Sequence, residues 1–282
     1  MTQARTIAAG FAFPEGPRWH EGRLWFSDQH TGEVVVLDPD GTVAERFAVP
    51  GGPSGMGWMP DGALLVTSMH ERRLYRRAAD GTLAVQAELA AYHPGHSNDM
   101  VVDVTGRAYA GNIGFDFNAG EAPRPTCIVA VAPDGTVEVA ADALDCPNGT
   151  VITPDGKGLI VAESMGNRLT RFDVGADGRL SGRRLFADLG DHVPDGICLD
   201  AEGAIWAASP YAGEVIRVRE GGEIVERVTI DGAKPYACML GGSDGRDLFV
   251  CCAPDHDPTV TVKARGGRID VARVGVAGAG LP

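Results

Sequence analysis

A turn built on glycine recurs along the whole chain. It reads Glu21-Gly22, Asp61-Gly62, Thr105-Gly106, Asp155-Gly156, Glu202-Gly203 and Asp244-Gly245, and its glycines stand 40, 44, 50, 47 and 42 residues apart. Each is followed by a short apolar run ending in small or polar residues, such as LWFSD at 24–28 and ALLVTS at 63–68. A second glycine turn keeps step with the first at Gly41, Gly81, Gly135, Gly178, Gly221-Gly222 and Gly266-Gly267. Asp-Gly between alternating runs marks a β-hairpin, because both central residues tolerate positive φ. A repeat of 40–50 residues signals a repeat architecture. Six units of four short strands predict an all-β, six-bladed β-propeller, four antiparallel strands per blade, one domain over residues 1–282. Gly and Pro, 39 and 18 of 282 residues, supply the many turns this requires. No segment keeps a 3.6-residue apolar period, so helix should be scarce. The first ten residues are expected to supply a strand that closes the ring against the last blade.

The two turn series sort the connections by face. The short glycine turns join strands 1–2 and 3–4 on one face. The strand 2–3 loops and the blade entries lie on the other, and they are irregular. Function belongs on that irregular face, where loops vary over a rigid scaffold. The longest such loop, 113–125, is expected to form a lid.

The six inner strands begin at Pro14-Glu15-Gly16, Pro53-Ser54-Gly55, Ser97-Asn98-Asp99, Pro147-Asn148-Gly149, Pro194-Asp195-Gly196 and Pro235-Tyr236-Ala237. Their middle residues are 39, 44, 50, 47 and 41 apart, the rhythm of the turns. Equivalent positions of innermost strands surround the axis, so Glu15, Asn98, Asn148 and Asp195 should converge there. Pro-Asn-Gly and Pro-Asp-Gly are by themselves ordinary turn sequences. It is the shared register that points to a site. Two carboxylates and two amides form a hard oxygen donor set for one divalent cation, Ca²⁺ first, with Zn²⁺, Mn²⁺ or Mg²⁺ as alternatives. Without a cation, two unpaired acids in a narrow channel would be costly. Ser54 and Tyr236, at the two remaining positions, can fill the channel or donate hydrogen bonds.

The stretches Phe13-Pro-Glu-Gly-Pro-Arg-Trp19, Ser97-Asn-Asp99, Cys146-Pro-Asn-Gly149 and Pro194-Asp-Gly-Ile197 resemble the SMP-30/gluconolactonase/LRE-like propellers, in order and in spacing. The resemblance implies a metal-dependent hydrolase, most often a lactonase for sugar lactones. It maps metal ligands onto Glu15, Asn148 and Asp195, and the Asn close to both metal and substrate onto Asn98. It makes Asp195 the general base or the holder of the attacking water, and Asn98 the group that orients a substrate oxygen. One position departs from the family. His96 stands two residues before Asn98, where sugar-lactone members commonly carry Arg, so a fixed charged fork is replaced by a titratable ring. That change favours a less hydroxylated substrate, or another reaction of the same metal site: other ester or organophosphate hydrolysis, hydration, isomerisation or condensation. A zinc pair of His93 and His96 fits poorly with the intervening Pro94 and Gly95. His70, Asn112, Phe115, Tyr211 and His256 are the other candidates for substrate contact on the irregular face.

The remaining signals exclude more than they assign. The formal net charge of −13 repels nucleic acid and anionic lipid, so neither is expected as a partner. No apolar run approaches the roughly 20 residues of a membrane span, and no signal-type core opens the chain, which points to the cytoplasm. Six cysteines without CxxC spacing read as reduced, mostly buried thiols. There is no Gly-x-Ser-x-Gly elbow, phosphate loop or dinucleotide fingerprint. The partner is then a small molecule, and a monomer is expected, since closed blades expose little strand edge. A binding propeller with a purely structural ion is the competing reading.

Overall fold

The computed structural model describes residues 2–116 and 119–282. Six sheets surround one axis, and in blades 1 to 4 the strands run in sequence order from the axis outward. Blade 1 has Pro14–His20, Arg23–Asp28, Glu33–Leu37 and Val43–Ala48. Blade 2 has Pro53–Trp58, Leu64–Ser68, Arg73–Arg77 and Leu83–Glu88. Blade 3 has Ser97–Val102, Ala108–Asn112, Thr126–Val131 and Val137–Leu144, and blade 4 has Pro147–Ile152, Gly158–Glu163, Arg168–Val174 and Leu180–Asp188. Blade 5 has Ile197–Leu199, Ile205–Ser209, Glu214–Val218 and Ile224–Thr229, with Thr2–Gln3 added in parallel at its rim.

Blade 6 departs from the expected pattern. Its strands Lys234–Gly241, Asp247–Ala253 and Gly267–Arg273 are followed outward by Arg5–Phe11 from the start of the chain. The N-terminal strand thus closes the ring as expected, and it is the outermost one. Gly266-Gly267 is not a strand 3–4 hairpin. It precedes the third strand, after a seven-residue helix Pro258–Ala264 capped by Asp257. The remaining tail, from Val274 on, crosses the far face instead. It bonds to Arg246 and Gly245 of blade 6, to Leu199 and Ala201 of blade 5, and to Ile152 of blade 4.

The apolar runs are explained by alternation. Leu64 and Val66 pack into a cluster with Val34 of blade 1, while Leu65 between them packs with Met100 and Val102 of blade 3. Successive side chains of a strand point to opposite faces, and here both faces are covered. Six such clusters fill the six gaps between neighbouring blades.

At the axis five of the six inner strands, all but that of blade 5, carry an irregularity at the same place. Pairing shifts by one residue between Glu15 and Arg18, Pro53 and Met56, Ser97 and Met100, Pro147 and Thr150, and Pro235 and Ala237. In each case the inner strand holds one more residue than its partner, which is a β-bulge, a device that re-aims a side chain. Gly196 shows why a small residue follows the aimed one. A Cβ there would lie 2.6 Å from the Ala237 Cα, so only glycine lets the next blade's strand come this close. Bonds between blades then lock the ring at this level. Ser27 Oγ donates to the Ser54 carbonyl (2.6 Å), Thr67 Oγ1 to Asn98 O (3.0 Å), Asn98 Nδ2 to Pro147 O (3.3 Å), Ser164 Oγ to Pro194 O (2.7 Å) and Gly196 N to Tyr236 O (2.8 Å).

Candidate active site

The irregular loops surround a cavity of about 490 Å³ at one end of the axis. Its floor brings together Glu15 from blade 1, Asn98 from blade 3, Asn148 from blade 4, Asp195 from blade 5 and Tyr236 from blade 6. Ser54, the blade 2 equivalent, is buried, accepts a hydrogen bond from Gln29 Nε2 (3.3 Å) and does not line the cavity.

The two acids are desolvated together. Burial and the neighbouring Asp195 charge raise the Glu15 carboxyl well above its usual range, although its Oε2 accepts from Gly16 N at 2.7 Å. Burial likewise pushes Asp195 up to about 7. A hydrogen bond from Asn148 works against the shift, and the Asp99 charge works with it. Among the described residues neither acid has a cationic partner in direct contact. The Tyr236 hydroxyl, beside both acids, is buried without a hydrogen-bond partner. Both amides spend their nitrogen on the protein, Asn98 on Pro147 O and Asn148 on Ser164 Oγ (3.2 Å), which leaves their oxygens for a ligand. Two carboxylates and two amide oxygens, with an orphaned hydroxyl beside them, fit a hard divalent cation and a bound oxygen compound. Among the described residues no three His, Cys, Asp or Glu side chains cluster as a metal site. A donor set half made of amides is of another kind, whereas a histidine zinc site would need such a cluster.

Beneath the floor lies a pair that sequence reasoning missed. Arg18 Nη2 meets Asp99 Oδ1 at 2.5 Å, and the guanidinium also donates to Pro17 O, Met56 O and Met100 O. Both residues are buried. The pair ties the inner strands of blades 1, 2 and 3 together below Glu15. Both residues lie within the motifs singled out above, but nothing in their spacing announced that they pair.

The wall is built by loops. His70 and His96 line it and face each other, with Nδ1 of one 3.3 Å from Nε2 of the other. Burial and the His70 charge lower the His96 ring's affinity for a proton. His30 stacks on Phe13 at 4.4 Å and bonds to Thr261 of the short helix at 2.6 Å. Burial depresses its pKa to about 4. Tyr211 and His256 also line the cavity, as do Cys146, named above only within its motif, and Met69, Met165 and Lys234, which the sequence did not single out.

Three expectations are corrected. Asn112 does not line the cavity: it is fully buried, with Nδ2 bonded to Cys127 O (3.0 Å) and Oδ1 accepting from Thr126 (2.8 Å). Phe115 is buried too, packed beside Gly95, and does not line it either. Of the 113–125 loop only Ile113 lines the cavity among the described residues, and residues 117–118 of the expected lid lie outside them. His93 lies apart from the cavity lining, buried and bonded to Ser97 Oγ at 2.9 Å, so it makes no pair with His96 there.

Comparison with known proteins agrees with this fold. The family described as SMP-30/Gluconolactonase/LRE-like region matches residues 13–254. The pentonolactonase XacC of Haloferax volcanii is 27% identical over 289 residues, covering 98% of this chain and 96% of that protein. The regucalcin of Xenopus laevis is 27% identical over 96% of this chain and 94% of its own. Among solved structures, a calcium-binding regucalcin from Agrobacterium tumefaciens superposes with a TM-score of 0.83 at 26% identity, covering 100% of this chain and 97% of that one.

Proposed function

The chain belongs to the SMP-30/gluconolactonase/LRE-like family, and from that premise we propose that it is a lactonase whose residues 1–282 act as one domain around a single divalent cation. One observation carries the reading: two desolvated acids and two amides from four different blades share the floor of one cavity. The pentonolactonase relative supports the lactone substrate, and the calcium-binding regucalcin supports Ca²⁺ as the cation. Glu15, Asn98, Asn148 and Asp195 would hold the ion through their oxygens. A bound divalent ion supplies Lewis acidity to the ester carbonyl and to water.

The protein's residues do the rest. Water attacks the acyl carbon, and its proton passes to a carboxylate oxygen of Asp195. The ring C–O bond breaks, the leaving alkoxide takes that proton, and a hydroxy acid departs. Asn98 orients the substrate oxygen, and the free hydroxyl of Tyr236 donates to it. His70 and His96 border the substrate on the loop side. A cavity of about 490 Å³ above the floor favours catalysis over an ion that merely plugs the channel.

The test is a lactone panel read by acid release, with and without chelator, alongside metal analysis of the purified protein. Lactone opening that chelation abolishes and Ca²⁺ restores is expected. Turnover of non-lactone esters alone would replace this reading with another reaction of the same site. Intact turnover by Asp195→Ala with metal still bound would remove Asp195 from its role.

A further inference from the structure

The floor of the cavity is polar, whereas much of its wall is carbon and sulfur surface. Phe13, Met69, Ile113, Met165, Val193 and Tyr211 present carbon or sulfur surface. Several polar side chains between them are tied to the protein by at least one hydrogen bond. Gln29 Nε2 donates to Ser54 Oγ at 3.3 Å, and Thr31 Oγ1 donates to Asp28 O at 3.1 Å. His30 is bonded to Thr261 at 2.6 Å, and His70 to His96 at 3.3 Å. Ser164 Oγ donates to Pro194 O at 2.7 Å. Lys234 lies with its Nζ 5.9 Å from the Tyr211 ring centroid, and His256 lies 3.8 Å from the Asp255 carboxylate. Among the described residues no arginine lines the cavity.

A polyhydroxylated ring placed here would set several of its hydroxyls against carbon and sulfur surface, and each hydroxyl left unpaired is costly. An alkyl or aryl group would gain the burial of its surface at no such cost. We propose that the part of the substrate not undergoing hydrolysis is apolar: the protein takes a lactone bearing an alkyl chain or fused aromatic ring in preference to a sugar lactone. The inference rests on the lactonase reading for the reacting ester. It concerns the wall, and the wall can be tested separately.

Two measurements on the calcium-supplied protein decide it. The first compares kcat/KM for dihydrocoumarin and γ-nonalactone with that for D-glucono-1,5-lactone and D-xylono-1,4-lactone. The apolar pair should lead by about 30-fold, mostly through KM. The second is calorimetric titration with the non-hydrolysable lactam isosteres of dihydrocoumarin and gluconolactone, where the same order should appear in Kd. Equal or reversed preference in the lactam titration overturns the inference. So does faster turnover of the sugar lactones. If no lactone is opened at all, the proposed function falls, while the lactam titration still decides the character of the wall.

Discussion

The floor and the wall of the cavity are made by different means. The floor residues occupy equivalent points of a six-fold repeat, four of the five at a bulge, and bonds between neighbouring blades hold the ring at their level. The wall residues come from loops of unequal length, one of which carries the molecule's short helix. A repeat fixes where a side chain points, because register fixes backbone geometry. A loop fixes it only through its own packing. The chemistry of the reacting bond is therefore tied to the fold, and the choice of what is attached to that bond is free to vary.

The largest expected effect lies on the floor. Asp195→Asn keeps the size of the side chain and removes both a charge and a proton acceptor. A loss of about 10³-fold in kcat is expected, since general-base catalysis contributes about 10²–10⁴-fold. Glu15→Gln should act on the ion instead, weakening Ca²⁺ binding by calorimetry while Asp195 is unaltered. If both variants left kcat and Ca²⁺ affinity near those of the parent, the floor would be no more functional than the wall.

Next comes the backbone that aims the floor. In Gly196→Ala the new methyl meets Ala237 of the next blade, with no positive φ to add strain. Overpacking of this kind costs about 1–3 kcal/mol. The midpoint of thermal unfolding should fall by several degrees, and turnover should fall with it because Asp195 is the adjacent residue. Gly275→Ala is the control: nothing lies within 4 Å of its added Cβ, and both readings should stay unchanged.

The same contrast explains what could be read from the sequence. The six blades, their turns and the four converging donors follow from periodicity, which survives without any knowledge of tertiary contacts. The fourth strand of blade 6 had to be found elsewhere because Gly266-Gly267 looks like the other hairpin turns but follows a helix. Asn112 was expected at the mouth because it ends a second strand. Thr126 and Cys127 on the neighbouring strand hold its amide inside the blade instead. The Arg18–Asp99 pair was hidden because it joins blades 1 and 3, a contact that spacing within one repeat does not encode.

His93 offers a smaller test on stability alone, away from the cavity. Burial holds its pKa down to about 4. A hydrogen bond involving the Ala110 backbone opposes the shift, and the Arg72 charge adds to it. In the unfolded chain the ring takes a proton near pH 6.5. Between those values the unfolded state binds more protons, so stability is full above about pH 6.5 and is lost as pH falls towards 4. The contribution at pH 5 is about 2 kcal/mol. Unfolding by urea at pH 7 and pH 5 should show this loss in the parent and less of it in His93→Phe. Equal pH dependence in the two proteins would mean that another group carries it.

The smallest expected change is the one that divides floor from packing most finely. Tyr236 packs with Phe13 and Ala253, yet its hydroxyl is buried without a partner among the described residues. A buried hydroxyl with nothing to bond to is a cost in the free protein, so Tyr236→Phe should leave stability equal or higher by about 1 kcal/mol. If the hydroxyl donates to the substrate, the same change should lower kcat/KM about tenfold. Stability and activity then move in opposite directions, which is the mark of a group kept for a ligand rather than for the fold. Activity held at the parent level would assign Tyr236 to the apolar wall and leave the four oxygen donors as the whole of the floor.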